Sequence, residues 1–187
     1  HRNFQSMLDQ YGLDFSPVEG DPRQILMGDV GQRLLGTEKN PVAMMRHTIA
    51  AAEPVLNQVF DDYWEACQDA DVILFHLLAA LPAASIAEKR NVPAFPLYLQ
   101  HVHHTRHYPS AAATPLPLGI PPLIGLYNRL TYKLEDWAFW HFIRPVINHW
   151  RERVLGLPAY KANPFSSREW QQRPFLYGFS PQVVPKA

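Results

Sequence analysis

Asp71-Val72-Ile73-Leu74-Phe75-His76, followed sixteen residues later by Val92-Pro93-Ala94-Phe95-Pro96-Leu97-Tyr98-Leu99, decides the fold. The first stretch shows almost no polar alternation, which predicts a strand buried on both faces, as in a parallel sheet. The second reads as another apolar strand, although Pro93 and Pro96 each remove a ladder donor. Between them Pro82 to Arg90 carries a helical pattern. Strand, helix, strand in this order predicts an α/β fold: a Rossmann-like parallel sheet with flanking helices. Such crossovers are right-handed, and ligands gather beyond the carboxyl ends of the strands. The segments that follow strands therefore matter most: Glu19 onward, His76 to Leu81, and Gln100 onward.

Toward the amino end, Phe4, Met7, Leu8 and Tyr11 fall at i, i+3, i+4 and i+7, one apolar stripe of a helix, and Gly12 stands where a helix C′ residue should. Leu13 to Val18 alternates apolar and polar and predicts a short strand. Glu19 to Pro22 reads as a turn, with Asp21 capping a short helix that Pro22 opens and that runs through Met27. Gly28 to Lys39 is loop-like. Asn40-Pro41 supplies an N-cap and an N1 proline for a helix to about Gln68, which Pro54 should kink or split.

Toward the carboxyl end, Gln100 to Pro122 has no periodicity and is too long to be an idle connection. Leu123 to Leu155 then reads as a helix closed by Gly156, with Pro145 as a point for a kink. Phe139, Phe142, Ile143, Val146, Ile147 and Trp150 form its apolar face. Trp137 falls on the other side with His141, Arg144 and Asn148, a position suited to meeting a partner domain, a lipid or an acceptor. Residues 157–173 read as loop and Pro174 to Phe179 as a last strand. Ser180-Pro181 and Pro185 resemble the start of a linker.

The chain has 187 residues, with 17 Lys+Arg against 17 Asp+Glu and a formal charge of zero. The neutral balance excludes a broad nucleic-acid footprint, which needs a basic surface. An apolar share of 47% fits a globular chain. Cys67 is the single cysteine, which excludes an internal disulfide framework and a cysteine-based zinc cluster. It lies late in a helix with no basic neighbour in sequence, which gives no support for a reactive thiolate. No apolar run reaches transmembrane length, and the first residues lack a signal-peptide pattern. The chain opens on His1 and enters a helical pattern at once, which predicts a start lying further upstream.

The densest chemistry lies in His101-Val102-His103-His104-Thr105-Arg106-His107-Tyr108-Pro109, which holds four His and one Arg. As a metal site it offers three or four imidazoles, but the spacing matches no standard zinc signature and no carboxylate lies in the segment. It reads otherwise as a pocket-lining loop whose His and Arg bind a polar group, or as a solvated polar loop. His76 ends the clearest strand, either as a ligand-contacting imidazole or as a satisfied, partly buried one. Gly20-Asp21-Pro22-Arg23 reads as a turn and cap before it reads as a ligand site. No Gly-x-Gly-x-x-Gly, P-loop, Gly-x-Ser-x-Gly or His-Glu-x-x-His motif is found.

Spread over nearly the whole chain, a series of motifs resembles the GT-B glycosyltransferases, in particular the N-terminal, acceptor-binding domain of the UDP-glucose:sterol glucosyltransferase-like group (the glycosyltransferase family 28 N-terminal domain). His1-Arg2-Asn3-Phe4 resembles that family's Thr-His-x-x-Phe segment. Gly12-Leu13-Asp14-Phe15-Ser16-Pro17 followed by Gly20-Asp21-Pro22 resembles its strand and turn. Ala70-Asp71-Val72-Ile73, Ile86-Ala87-Glu88-Lys89 and Val92-Pro93 resemble its central strand–helix–strand. Thr105-Arg106-x-Tyr108-Pro109 is similar to the Thr-Arg-x-Phe-Pro of its acceptor loop. Leu155-Gly156-Leu157-Pro158 and Leu176-Tyr177-Gly178-Phe179-Ser180-Pro181 with Val184-Pro185 resemble the approach to its interdomain linker.

The resemblance implies a partial N-terminal acceptor-binding domain over 1–180 and the start of a linker over 181–187. It implies transfer of a hexosyl group from a nucleotide sugar, UDP-glucose or a relative, to a hydroxyl of a lipid-like or other hydrophobic acceptor. The family's catalytic base lies in a Gly-rich loop after its first strand, and its C-terminal domain holds the UDP-sugar. Both match segments outside these residues, so the resemblance assigns no catalytic residue here and implies no turnover by this stretch alone. The His-rich 100–107 stretch departs from the family's Met/Trp-containing loop. Acceptor contacts are expected from His76, His101, His103, His104, Thr105, Arg106, His107 and Trp137, with no metal and no cofactor in the chain. The expected partners are the acceptor and the chain's own donor domain, with a cytoplasmic location and peripheral contact with a membrane. A second reading is a non-catalytic acceptor-binding or membrane-recruiting subunit that works with a separate donor-binding chain.

Overall fold

The computed structural model describes residues 1–20, 41–99, 104–110, 113–114, 116, 121–180 and 182. The predicted turn at Asp21, the helix through Met27 and the 28–39 loop lie outside them, as do His101, His103 and the linker motif at Val184-Pro185.

Two βα units carry the sheet. Strand β1 (Ile73–Phe75) leads through a single 3-10 turn (Leu77–Ala79) into helix α3 (Ala80–Arg90), and β2 (Ala94–Tyr98) follows. Asn91 closes α3 in the left-handed region at φ 55, where an Asn side chain is tolerated better than most. The third strand, β3 (Leu176–Tyr177), comes from near the end of the chain. The order is β1-β2-β3 and both pairings are parallel, with Ile73 opposite Ala94 and Tyr98 opposite Tyr177. Pro96 is accommodated in the middle strand, so the second apolar stretch forms its strand despite the lost donor.

Helix α1 (Gln5–Gln10) and helix α2 (Pro41–Ala66) precede the sheet. Gly12 ends the first at φ +65, as its C′ position requires. The stripe of α1 faces water, with Phe4, Met7 and Tyr11 all exposed. Helix α2 runs through position 54 as one element of 26 residues, so the expected division does not occur. Burial of Ile49 and Phe60 on either side of the proline holds both halves in one line of packing. Leu13 to Val18 forms no strand. No described strand pairs with it, and the Glu19 N–H that follows bonds to the Asp62 carboxylate at 2.7 Å.

After β2 the chain crosses to helix α4 (Pro121–Trp150), which continues as one π-type turn (Arg151–Leu155) and stops at Gly156, φ 63. The helix passes through Pro145 as a single element. Its Ile143, Val146, Ile147 and Trp150 are buried, with Phe139 and Phe142 packed against them, as the periodicity requires. These residues meet α2 and α3 in one core with Phe60, Phe75, Leu81 and Ile86. Trp150 sets its ring edge against Phe60 and donates Nε1–H to Asp61 at 2.8 Å. Residues 157–173 are not all loop. Asn163 and Ser167 accept backbone N–H bonds and start a 3-10 turn (Pro164–Ser166) and a short helix α5 (Arg168–Gln171).

One sheet face is closed and the other open. Ile73, Phe75, Ala94, Pro96 and Tyr98 point into the core, whereas Val72, Leu74, Leu97 and Leu176 are exposed. The expectation that β1 is buried on both faces is therefore corrected. Its apolar run covers two faces, but only one meets a described helix.

Candidate functional site

The chain leaves the carboxyl end of β2 and meets α4 in a loop whose longest described part is His104 to Ser110. Polar side chains on the inner face of α4 fix that loop. Asn128, almost fully buried, donates Nδ2–H to the Arg106 carbonyl at 2.8 Å. Thr131 Oγ1 accepts the Ser110 N–H at 2.9 Å and donates back to the Asn128 carbonyl. The Tyr132 hydroxyl donates to the Pro109 carbonyl at 3.4 Å. Burial pushes that phenol up, so it stays a neutral donor. An added Cβ at Gly125 would come within 3.4 Å of Arg106 Cβ, so loop and helix already touch there. Residues 104–110 thus form a fixed wall, with the Arg106, Pro109 and Ser110 backbone groups satisfied by one helix.

The wall presents one acid–base pair. His104 Nε2 lies 3.0 Å from Asp136 Oδ2, and the imidazole stacks on the Tyr132 ring, centroids 5.1 Å apart. A carboxylate only accepts, so Nε2 is the donor in this pair. Desolvation raises the Asp136 carboxyl from its ordinary value, while the His104 charge and hydrogen bond pull it back. The carboxylate that the 101–109 segment lacks thus arrives from the next helix. Among the described residues no group of three or more metal-type ligands forms.

The expected contact residues take different places. His104, Arg106 and His107 are on the surface of the wall, whereas Thr105 is buried with its hydroxyl accepting the His107 N–H at 3.2 Å, a turn-forming role. Trp137, next to Asp136, is exposed and stacked on His141 at 5.2 Å. With Trp140, Arg144, Pro145 and Asn148 these two rings line a hollow of about 490 Å³. His76 is half-buried and placed by the sheet, its ring meeting Tyr98 edge-on. Asn128, Thr131, Tyr132 and Asp136 were not among the expected residues. Their signal was present: polar residues at i, i+3, i+4 and i+8 on a face that should be apolar.

A larger hollow of about 710 Å³ opens at the other end of the sheet, by Pro93, Ala94, Tyr160 and Trp170. It lies at the amino end of β2, away from the edge where α/β sites form. Beside it, the buried Arg151 guanidinium is fully engaged: it lies 3.6 Å over the Tyr160 ring and donates to Ser85, Glu88 and the Pro158 carbonyl. That cluster is structural. Cys67 does have a basic neighbour in space, Arg90, but burial outweighs it and pushes the thiol up, away from the thiolate.

No family model matches the chain. Curated relatives do. The chain is 32% identical over 186 residues to a sterol 3-beta-glucosyltransferase of Neurospora crassa, a match covering 99% of this chain and 11% of that protein. Equivalent proteins of Emericella nidulans and Cryptococcus neoformans match at 32% and 31%, each over 99% of this chain and 12% and 11% of their own lengths. The resemblance to sterol glucosyltransferases therefore holds from end to end of these residues. The chain is homologous to one segment of those proteins and spans about 11–12% of their length.

Proposed function

We propose that this chain forms the acceptor side of a glycosyltransferase that moves a hexosyl group from a nucleotide sugar, UDP-glucose or a relative, to the hydroxyl of a sterol-like acceptor. The activity for which the homologous proteins are named supports the reaction and the acceptor class. The observation that carries the role of this segment is the 104–110 wall, tied to α4 and presenting His104 on Asp136.

In such a transfer the acceptor oxygen bonds to the anomeric carbon, the bond from that carbon to the diphosphate breaks, and the hydroxyl proton passes to a base. The contribution of this segment is orientation. An apolar acceptor needs few polar anchors, and an imidazole fixed by a carboxylate and a stacked ring is suited to hold a single hydroxyl. We assign the base to another part of the protein and give His104 a positioning role. In the full-length protein with UDP-glucose and a sterol, His104→Ala should raise the acceptor KM and lower kcat/KM for it by about tenfold to a hundredfold, with donor KM unchanged. Unchanged acceptor kinetics would remove His104 from the site. Absence of any transfer to sterols by the wild-type protein would remove the reaction itself.

A further inference from the structure

The outward face of α4 carries an apolar stripe of which the acceptor reading uses only Trp137. Leu123, Leu126, Leu130, Leu134 and Trp137 follow one another at steps of 3, 4, 4 and 3 residues, so they align on one side of the helix. All five are open to water, from 47% for Leu134 to 59% for Leu123. One exposed leucine needs no explanation, but five in a continuous row do. At 1.5 Å per residue the row runs about 21 Å along the surface.

We infer that this stripe is a docking face for an anionic lipid bilayer, lying in its interface with α4 parallel to the membrane plane. The surrounding charge decides between occupants. Arg129 and Lys133, four residues apart, are exposed along one flank of the stripe, and exposed Arg144 continues its line beyond Trp137. On the acidic side, Asp136 is tied to His104 and Glu135 is only half-exposed. Leucines and a tryptophan flanked on one side by long basic side chains suit an interfacial helix: the apolar row enters the acyl boundary while the cations reach phosphate. No described helix is long and apolar enough to cross a membrane, so α4 lies on the bilayer and does not span it. The inference concerns binding and stands whether or not His104 positions an acceptor.

The test is flotation of the full-length protein with vesicles of phosphatidylcholine and phosphatidylserine, against phosphatidylcholine alone. Leu130→Glu with Leu134→Glu should lower the vesicle partition coefficient at least about tenfold, since both side chains leave the acyl boundary. Arg129→Gln with Lys133→Gln should lower binding to the anionic vesicles only and flatten its salt dependence. All four positions are exposed, so melting should not change. Should a variant fail to fold, hydroxyl-radical labelling of Leu130, Leu134 and Trp137 in the wild-type protein decides: labelled when free and shielded with anionic vesicles is the expected result. Unchanged flotation of the leucine variant overturns the inference. So does shielding before vesicles are added, which would mean that a second copy or another part of the protein covers the stripe; sizing at several concentrations tells these apart.

Discussion

The two halves of α4 are held in different ways. From Phe139 to Trp150 the inner face is apolar and packs into the shared core with α2 and α3. From Gly125 to Asp136 the inner face is polar, and Asn128, Thr131, Tyr132 and Asp136 bind a loop in place of a second helix. Non-directional burial makes the first half the source of stability. Directional bonds make the second half a template, weaker in free energy but specific about where each backbone group sits. One helix thereby joins a rigid body to a shaped surface.

Three substitutions test that contrast. Trp150→Ala empties a fully buried site and removes the bond to Asp61; urea unfolding should show a loss of about 3–5 kcal/mol. A loss below one kcal/mol would mean that the contrast is misplaced. Asn128→Ala should cost only about 1 kcal/mol globally, but it frees the Arg106 carbonyl. Trypsin cleavage after Arg106 should then accelerate about fivefold under native conditions, whereas Trp150→Ala should raise cleavage at many sites together. The smallest effect is electrostatic. The folded Asp136 carboxyl is raised, so the folded state binds more protons between the ordinary carboxylate value and the raised one. Stability relative to Asp136→Asn should fall as pH rises through that window and level off above it. More than half the side chain is open to water, so the change should be slight, and a relative gain with rising pH would show that the His104 pair outweighs desolvation.

The sequence disclosed the packed half of α4 more fully than the templating half. Ile143, Val146, Ile147 and Trp150 announce themselves because apolar periodicity is the same quantity that burial rewards. Asn128 and Thr131 do not, because their partners lie 22 and 21 residues upstream in a loop without periodicity. The cluster at 101–107 was legible as chemistry, yet its carboxylate partner was not, since Asp136 sits on another element. Strands β1 and β2 followed from their apolar runs, but such a run records that both faces are apolar, not that both are covered; Leu74 and Leu97 show the difference. Leu13 to Val18 had the alternation of a strand without a described strand to pair with, and alternation alone makes no ladder.

The pairing of β2 with β3 has a kinetic consequence. Tyr98 meets Tyr177, which lies 79 residues further along, and the ladder is completed by Gly178 N–H donating to the Tyr98 carbonyl at 2.9 Å. A contact so distant in sequence closes a large loop, and a two-residue strand gives little enthalpy in return. Docking α4 on α2 and α3 shortens that loop before it must close. The third strand is therefore the last element to join the sheet and the first to leave it, and the folding rate of this region depends on how quickly α4 finds its place.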